Sequence, residues 1–181
     1  MYRNLWLAAS LALCMSSGSA MAADPQHPVL PNYGTIVPMP DAKERPDPSL
    51  RYRVLFEITK GAPTPDRLNP SLEKVARFLN LLGADGVRPA PGDVVVIVHG
   101  PATSLVMTDA AYAERNKVDK NPNLPLIDAL RGAGVSVRVC SQALAGNHIA
   151  PAQVADKIEI DVSALTTLAA LQLRGWALIP D

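Results

Sequence analysis

The sequence predicts an α/β protein: a three-layer α/β/α sandwich around a mainly parallel five-stranded sheet. Three observations carry this. Short β-branched runs alternate along the chain with longer stretches of helical periodicity. One of those runs, DVVVIVH at 93–99, is almost continuously apolar, the pattern of a central parallel strand buried on both faces. The composition is that of an ordinary globular protein, with 181 residues, 48% hydrophobic and 19% charged, long enough to enclose one well-buried core.

Taken in order, the strands are expected at residues 52–59 (YRVLFEIT), 93–99, 135–140 (VSVRVC), 157–162 (KIEIDV) and 176–179. The helices between them have legible ends. Asn69 caps a helix that begins at Pro70, presents Leu72, Val75, Ala76, Leu79 and Leu82 on one face, and stops at Gly83. Asn123 or Leu124, followed by Pro125, opens a second helix that runs through Ile127 and Leu130 to Gly132 and Gly134. Ser163 caps a third, with Leu165, Leu168, Ala169 and Gln172 stacked and Gly175 as its end. A further helix is expected around residues 108–115. With only two phenylalanines, aliphatic side chains must fill the core.

Two segments precede this domain, which is assigned to residues 51–181. Residues 1–22 read as a signal peptide: Arg3, an apolar run from Leu5 to Met15, then the small-x-small site Ala20-Met21-Ala22. Cleavage after Ala22 places the mature protein in a bacterial periplasm or outside the cell. The apolar run is too short to span a membrane, which takes about 20 residues, and Leu13 before Cys14 argues against a lipid anchor. Residues 23–50 form a proline-rich arm, with Pro25, Pro28, Pro31, Pro38, Pro40, Pro46 and Pro48 excluding helix and central strand. Its apolar residues Val29, Leu30, Tyr33, Ile36, Val37 and Met39 are expected to anchor it on the domain or on a neighbouring subunit.

Charge excludes one class of function. Seventeen basic residues balance seventeen acidic ones, so there is no electrostatic footprint for nucleic acid. Phosphate-binding glycines are missing, because Gly83-Ala84-Asp85-Gly86 follows a helix rather than opening one. Ser104 lacks the glycines of a nucleophile elbow. Cys140, His99 and His148 share no metal-ligand spacing, so neither a metal nor a cofactor is expected, and His148 is expected to face solvent.

Ligands of an open parallel sheet gather outside the carboxyl ends of its strands. Two segments sit at that edge: His99-Gly100-Pro101-Ala102 and the run from Cys140 through Ser141 and Gln142 to Gly146. Loss of Cys14 with the leader makes Cys140 the single thiol. If Ser141 begins a helical turn, backbone N–H groups face the sulfur and stabilise a thiolate. The competing reading is an inert core cysteine. The candidate site is Cys140 as the reactive group, with His99, Gly100, Ser141 and Gln142 as binding residues. Cys140→Ser is expected to leave the fold intact, with the sheet core elsewhere.

Several stretches resemble the DsrE/DsrF-like family: Val94-Val95-Val96-Ile97-Val98-His99-Gly100-Pro101, Asn121-Pro122-Asn123-Leu124, Leu130-Arg131-Gly132-Ala133-Gly134-Val135, Val139-Cys140-Ser141-Gln142, Leu165-Thr166-Thr167-Leu168 and Gln172-Leu173-Arg174-Gly175-Trp176. They run in order over residues 52–180, and the likeness is greatest to exported single-domain members with a proline-rich arm. The resemblance implies a persulfide carried on Cys140, a sulfur donor and acceptor as partners, and a homo-oligomer that is a trimer or a multiple of one. The sulfur-relay members are cytoplasmic and work with sister subunits, so a second class stays open: a non-catalytic small-ligand-binding or assembly module of the same fold.

Overall fold

The computed structural model describes residues 24–181. The expected signal peptide, residues 1–22 with Arg3, Cys14 and the Ala22 site, lies outside the described residues. Strands β1 (Val54–Ile58), β2 (Val94–Val98), β3 (Ser136–Cys140), β4 (Glu159–Asp161) and β5 (Ala177–Ile179) form one sheet in the order β4-β3-β2-β1-β5. Every pairing in it is parallel. All five residues of β2 are buried, as the central place of a β-branched run requires.

The two faces of the sheet are covered unequally. Val54, Phe56, Ile58, Val94, Val96, Val98, Val137 and Val139 face the larger core, where helices α1 (Pro70–Ala84) and α3 (Leu124–Gly132) contribute Leu72, Val75, Leu79, Leu126, Ile127 and Leu130. Helix α2 (Asp109–Asn116), in the place expected and capped by Thr108, adds Ala111 and Tyr112. The opposite face carries Leu55, Val95, Ile97 and Cys140. Among the described residues it is covered chiefly by α5 (Ala164–Leu173), with Ala143 at its margin. The short α4 (Ser141–Gly146) follows β3 directly.

Asn69 caps α1 as expected, its side chain accepting from Ser71 N and Leu72 N, and Ser163 caps α5 through Leu165 N. Two expectations about these helices fail. Gly83 does not stop α1, which runs through Ala84. A Cβ at Gly83 would collide with Val29 of the arm, so this glycine marks where the arm crosses the helix. In α5 the buried residues are Ala164, Thr167 and Leu171, while Leu165 is 79% exposed. This helix is apolar nearly all round, so its periodicity points nowhere. Its rotation is fixed instead by Thr167 Oγ1 donating to Asp161 Oδ2 at 2.6 Å, and small Ala164 lets it approach the sheet.

The arm folds onto its own domain. Leu30 and Ile36 are buried, and an antiparallel bridge joins Gln26 to Ile36. Asn80, fully buried in α1, is the clasp: Oδ1 accepts from Val29 N and Leu30 N at 2.8 and 2.9 Å, and Nδ2 donates to the carbonyls of Tyr33 and Gly34 at 2.8 and 2.9 Å. All four hydrogen bonds open to an amide side chain are thus made. Gly34, with φ of +62° and no room for a Cβ against Ala76 and Arg77, brings the arm against the helix. Val37 and Met39 are exposed rather than anchors.

Candidate functional site

The carboxyl edge of the sheet is held by three fully buried asparagines. Asn69 N donates to Asn123 Oδ1 at 2.8 Å, and Asn69 Nδ2 to the Lys60 carbonyl at 2.9 Å. Asn121 Nδ2 donates to the carbonyls of Leu105 and Met107, and its Oδ1 accepts from Asn123 N. Loops leaving β1 and β2 are thereby tied to the starts of α1 and α3. Buried polar groups fully satisfied in this way fix a unique loop geometry.

Cys140 ends β3 and caps α4: Sγ accepts from Ala143 N at 3.4 Å. The next residues supply that amide because the chain turns helical at Ser141, as the sequence indicates. The side chain is 5% exposed and packs with Leu55, Val95, Ile97, Ala164 and Leu171. Cys140 is therefore part of the smaller core, contrary to the expectation that the core lies elsewhere. The reason is the pleat: residue 140 falls on the same face as 136 and 138, under α5.

His99 follows β2 directly. The β2–β3 register ends on Val98 beside Val139, so His99 and Cys140 are the next positions along two neighbouring strands about 4.8 Å apart. The His99 backbone is extended, with φ of −156°, and Nε2 lies 2.9 Å from Oε1 of Glu57. Glu57 lies two residues beyond Leu55 on β1 and so shares its face. The structure thus brings a carboxylate, an imidazole and a thiol to one face, with the imidazole hydrogen-bonded to the carboxylate and the thiol to Ala143.

The remaining predicted residues divide. Gly100, with φ of +57°, opens a 3-10 helix over Gly100–Val106, and its carbonyl accepts from Thr103 Oγ1 at 2.6 Å and Asn147 Nδ2 at 3.3 Å. Ser141 Oγ donates to the Val162 carbonyl at 2.7 Å, which ties α4 to the end of β4. Gln142 is exposed at the rim, and so is His148, as expected. Glu57 was not among the predicted site residues. Its signal is visible in retrospect as the one carboxylate inside the apolar run YRVLFEIT.

Comparison with known proteins bears on this architecture. The profile of the DsrE/DsrF-like family matches residues 53–180. The chain belongs to this family. The match takes in every strand and helix named above and begins after the arm. No curated protein matches the chain. Among solved structures, a protein of unknown function from Methanobacterium thermoautotrophicum, MTH1491, superimposes with a TM-score of 0.51 at 22% identity, covering 72% of this chain and 99% of its own. That likeness is one of fold. In this DsrE/DsrF-like chain, no described helix is long and apolar enough to cross a membrane.

Proposed function

We propose that this DsrE/DsrF-like protein is exported and handles sulfur, carrying a sulfane sulfur as a persulfide on Cys140. The observation that carries the reading is the placement of the one thiol among the described residues at the carboxyl edge of the sheet. There it accepts a backbone amide and neighbours an imidazole already oriented by a carboxylate.

An ionised Glu57 only accepts, so Nε2 of His99 donates to it and Nδ1 is left as an acceptor. In the proposed step Nδ1 takes the Cys140 proton. The thiolate attacks the outer sulfur of a donor persulfide, forming the Cys140 S–S bond as the donor's S–S bond breaks. The donor leaves as a thiolate and recovers the proton from His99. No oxidant is consumed, and the same step in reverse delivers the sulfur to an acceptor thiol. Gly100 and Gln142 border the approach, while Ser141 holds the rim in place.

Burial favours a second reading. A thiol that is 5% exposed among Leu55, Val95 and Ile97 also fits a non-catalytic small-ligand-binding or assembly module. Iodoacetamide at neutral pH separates the two: a sulfur carrier is modified in the native state, an inert core cysteine only after denaturation.

Export rests on Arg3, the apolar run to Met15 and the Ala22 site. Sequencing of the exported protein is expected to begin at Ala23, and a mature chain that retains residues 1–22 would contradict export. The proposed partners are a sulfur donor and acceptor and further copies of the chain, a trimer or a multiple of it.

A further inference from the structure

A second site lies at the other end of the same sheet edge. The strand order turns back at β1: its neighbours are β2, reached through α1, and β5, reached across the opposite face by α5. Such a switch point, outside the carboxyl ends of the strands, is where open α/β sheets bind small anions and cofactors. Here it holds a cleft of about 490 Å³ whose lining includes Lys60, Ser71, Lys74, Arg77 and Asp181.

An anion already sits in this cleft. The Asp181 carboxylate accepts through Oδ2 from Thr59 N at 2.9 Å, Thr59 Oγ1 at 3.0 Å and Lys60 N at 2.7 Å, and through Oδ1 from Ser71 Oγ. The first amides of α1 are not involved, because Asn69 takes them. The cradle is therefore built from the end of β1 and two hydroxyls. Burial opposes ionisation of Asp181, but its four donors, led by Ser71, outweigh that and hold the carboxyl down at about 2.

The cations of the cleft are not paired with the Asp181 side chain. Lys74 Nζ donates to the Pro180 carbonyl and Arg77 Nε to the Thr35 carbonyl. None of Lys60, Lys74 and Arg77 has a carboxylate within 4.0 Å among the described residues. Three cations thus line the cleft without a carboxylate partner, next to the positive end of a 15-residue helix.

We propose that the cradle of Thr59, Lys60 and Ser71 is a binding site for a small dianionic oxyanion of the sulfate or phosphate type, for which the Asp181 carboxylate is the resident stand-in. The external anion takes over the four donors and Asp181 swings out, while Lys74 and Arg77 supply the charge a dianion needs. The site is independent of Cys140 and stands whether or not that thiol carries sulfur.

The test is calorimetric titration of the full chain with inorganic phosphate at ionic strength held constant with chloride. Removing the internal competitor in Asp181→Ala is expected to tighten phosphate binding about tenfold over the unsubstituted protein. Lys74→Ala with Arg77→Ala in that background is expected to abolish the gain, and sulfate should compete with phosphate. A folded Asp181→Ala protein that binds no phosphate, or binds it equally without Lys74 and Arg77, overturns the proposal. Acetate binding as tightly as phosphate overturns the dianion assignment. Should Asp181→Ala fail to fold, Asp181→Asn keeps an oxygen for the donors and removes the charge. Phosphate then broadens in its phosphorus NMR signal with this variant if the site is real, and an unchanged line width contradicts it.

Discussion

The ring of His99 meets the carboxylate of Glu57 at 2.9 Å, on the face of the sheet that also carries Cys140. β1 and the residue that follows β2 contribute this pair, and β3 places the thiol at the adjoining register position. The relationship gives His99 a fixed tautomer and a free nitrogen, which is what a proton acceptor for the thiol needs.

Glu57→Gln and His99→Gln should each slow alkylation of Cys140 at neutral pH by roughly tenfold or more, within the span of general-base effects. Stopped-flow labelling of the native protein measures it. Rates equal to the unsubstituted protein in both variants would limit Glu57 and His99 to a structural tie.

Asn80→Ala should cost about 2–4 kcal/mol, since four backbone groups of the arm lose their partner at once. Gly34→Ala should release the arm too, because φ is +62° and the Cβ meets the α1 backbone. Urea denaturation gives the first effect. Limited proteolysis gives both, with new cleavages expected at 24–50, and an arm as resistant as before would contradict them.

Acid should loosen β5 before the rest of the sheet. The folded Asp181 carboxyl stands at about 2, below its ordinary value of 3.8, so its stabilisation is complete above about pH 4 and is lost as pH falls towards 2. The Asp93 carboxyl, at the opposite edge, is also lowered, by the Arg51 guanidinium hydrogen-bonded to it against the cost of burial. Hydrogen exchange followed from pH 5 to pH 2 should show protection of Ala177–Ile179 falling first. In Asp181→Asn, that pH dependence should disappear.

Much of this architecture was legible in local signals. Asn69 before Pro70, Thr108, and Ser163 before Ala164 announce helix starts through chemistry that needs no tertiary context, and the apolar run of β2 announces a central strand. What escaped depends on packing across the chain. Gly83 looks like a helix stop until Val29 is seen lying over it. Leu165 looks like core until Thr167 fixes the rotation of α5 through Asp161. At the site, the place of Cys140 was readable from the strand ending, but its burial under α5 was not. The partnership of Glu57 with His99 spans 42 residues and leaves only a misplaced carboxylate as its trace.

The exposed apolar residues Val162, Leu165 and Leu173 on β4's flank and α5 need a cover, now that Leu30 and Ile36 of the arm are spent on their own domain. Light scattering is expected to give a trimer or a multiple of it, and Leu165→Glu with Val162→Glu to lower that mass. A mass no greater than 19.2 kDa for the unsubstituted protein would show a monomer.

The central claim is that Cys140 carries sulfur, and intact-mass spectrometry of the native protein after incubation with a polysulfide donor tests it most directly. The account predicts a gain of one sulfur that disappears with a reducing thiol and does not form in Cys140→Ser. Because Cys140 belongs to the smaller core, that variant should also lose about 1–2 kcal/mol as a hydroxyl enters apolar surroundings, so its folding is checked by circular dichroism. A native protein whose mass is unchanged by polysulfide, while the denatured chain takes up sulfur at Cys140, would contradict the account and leave the thiol as part of the core.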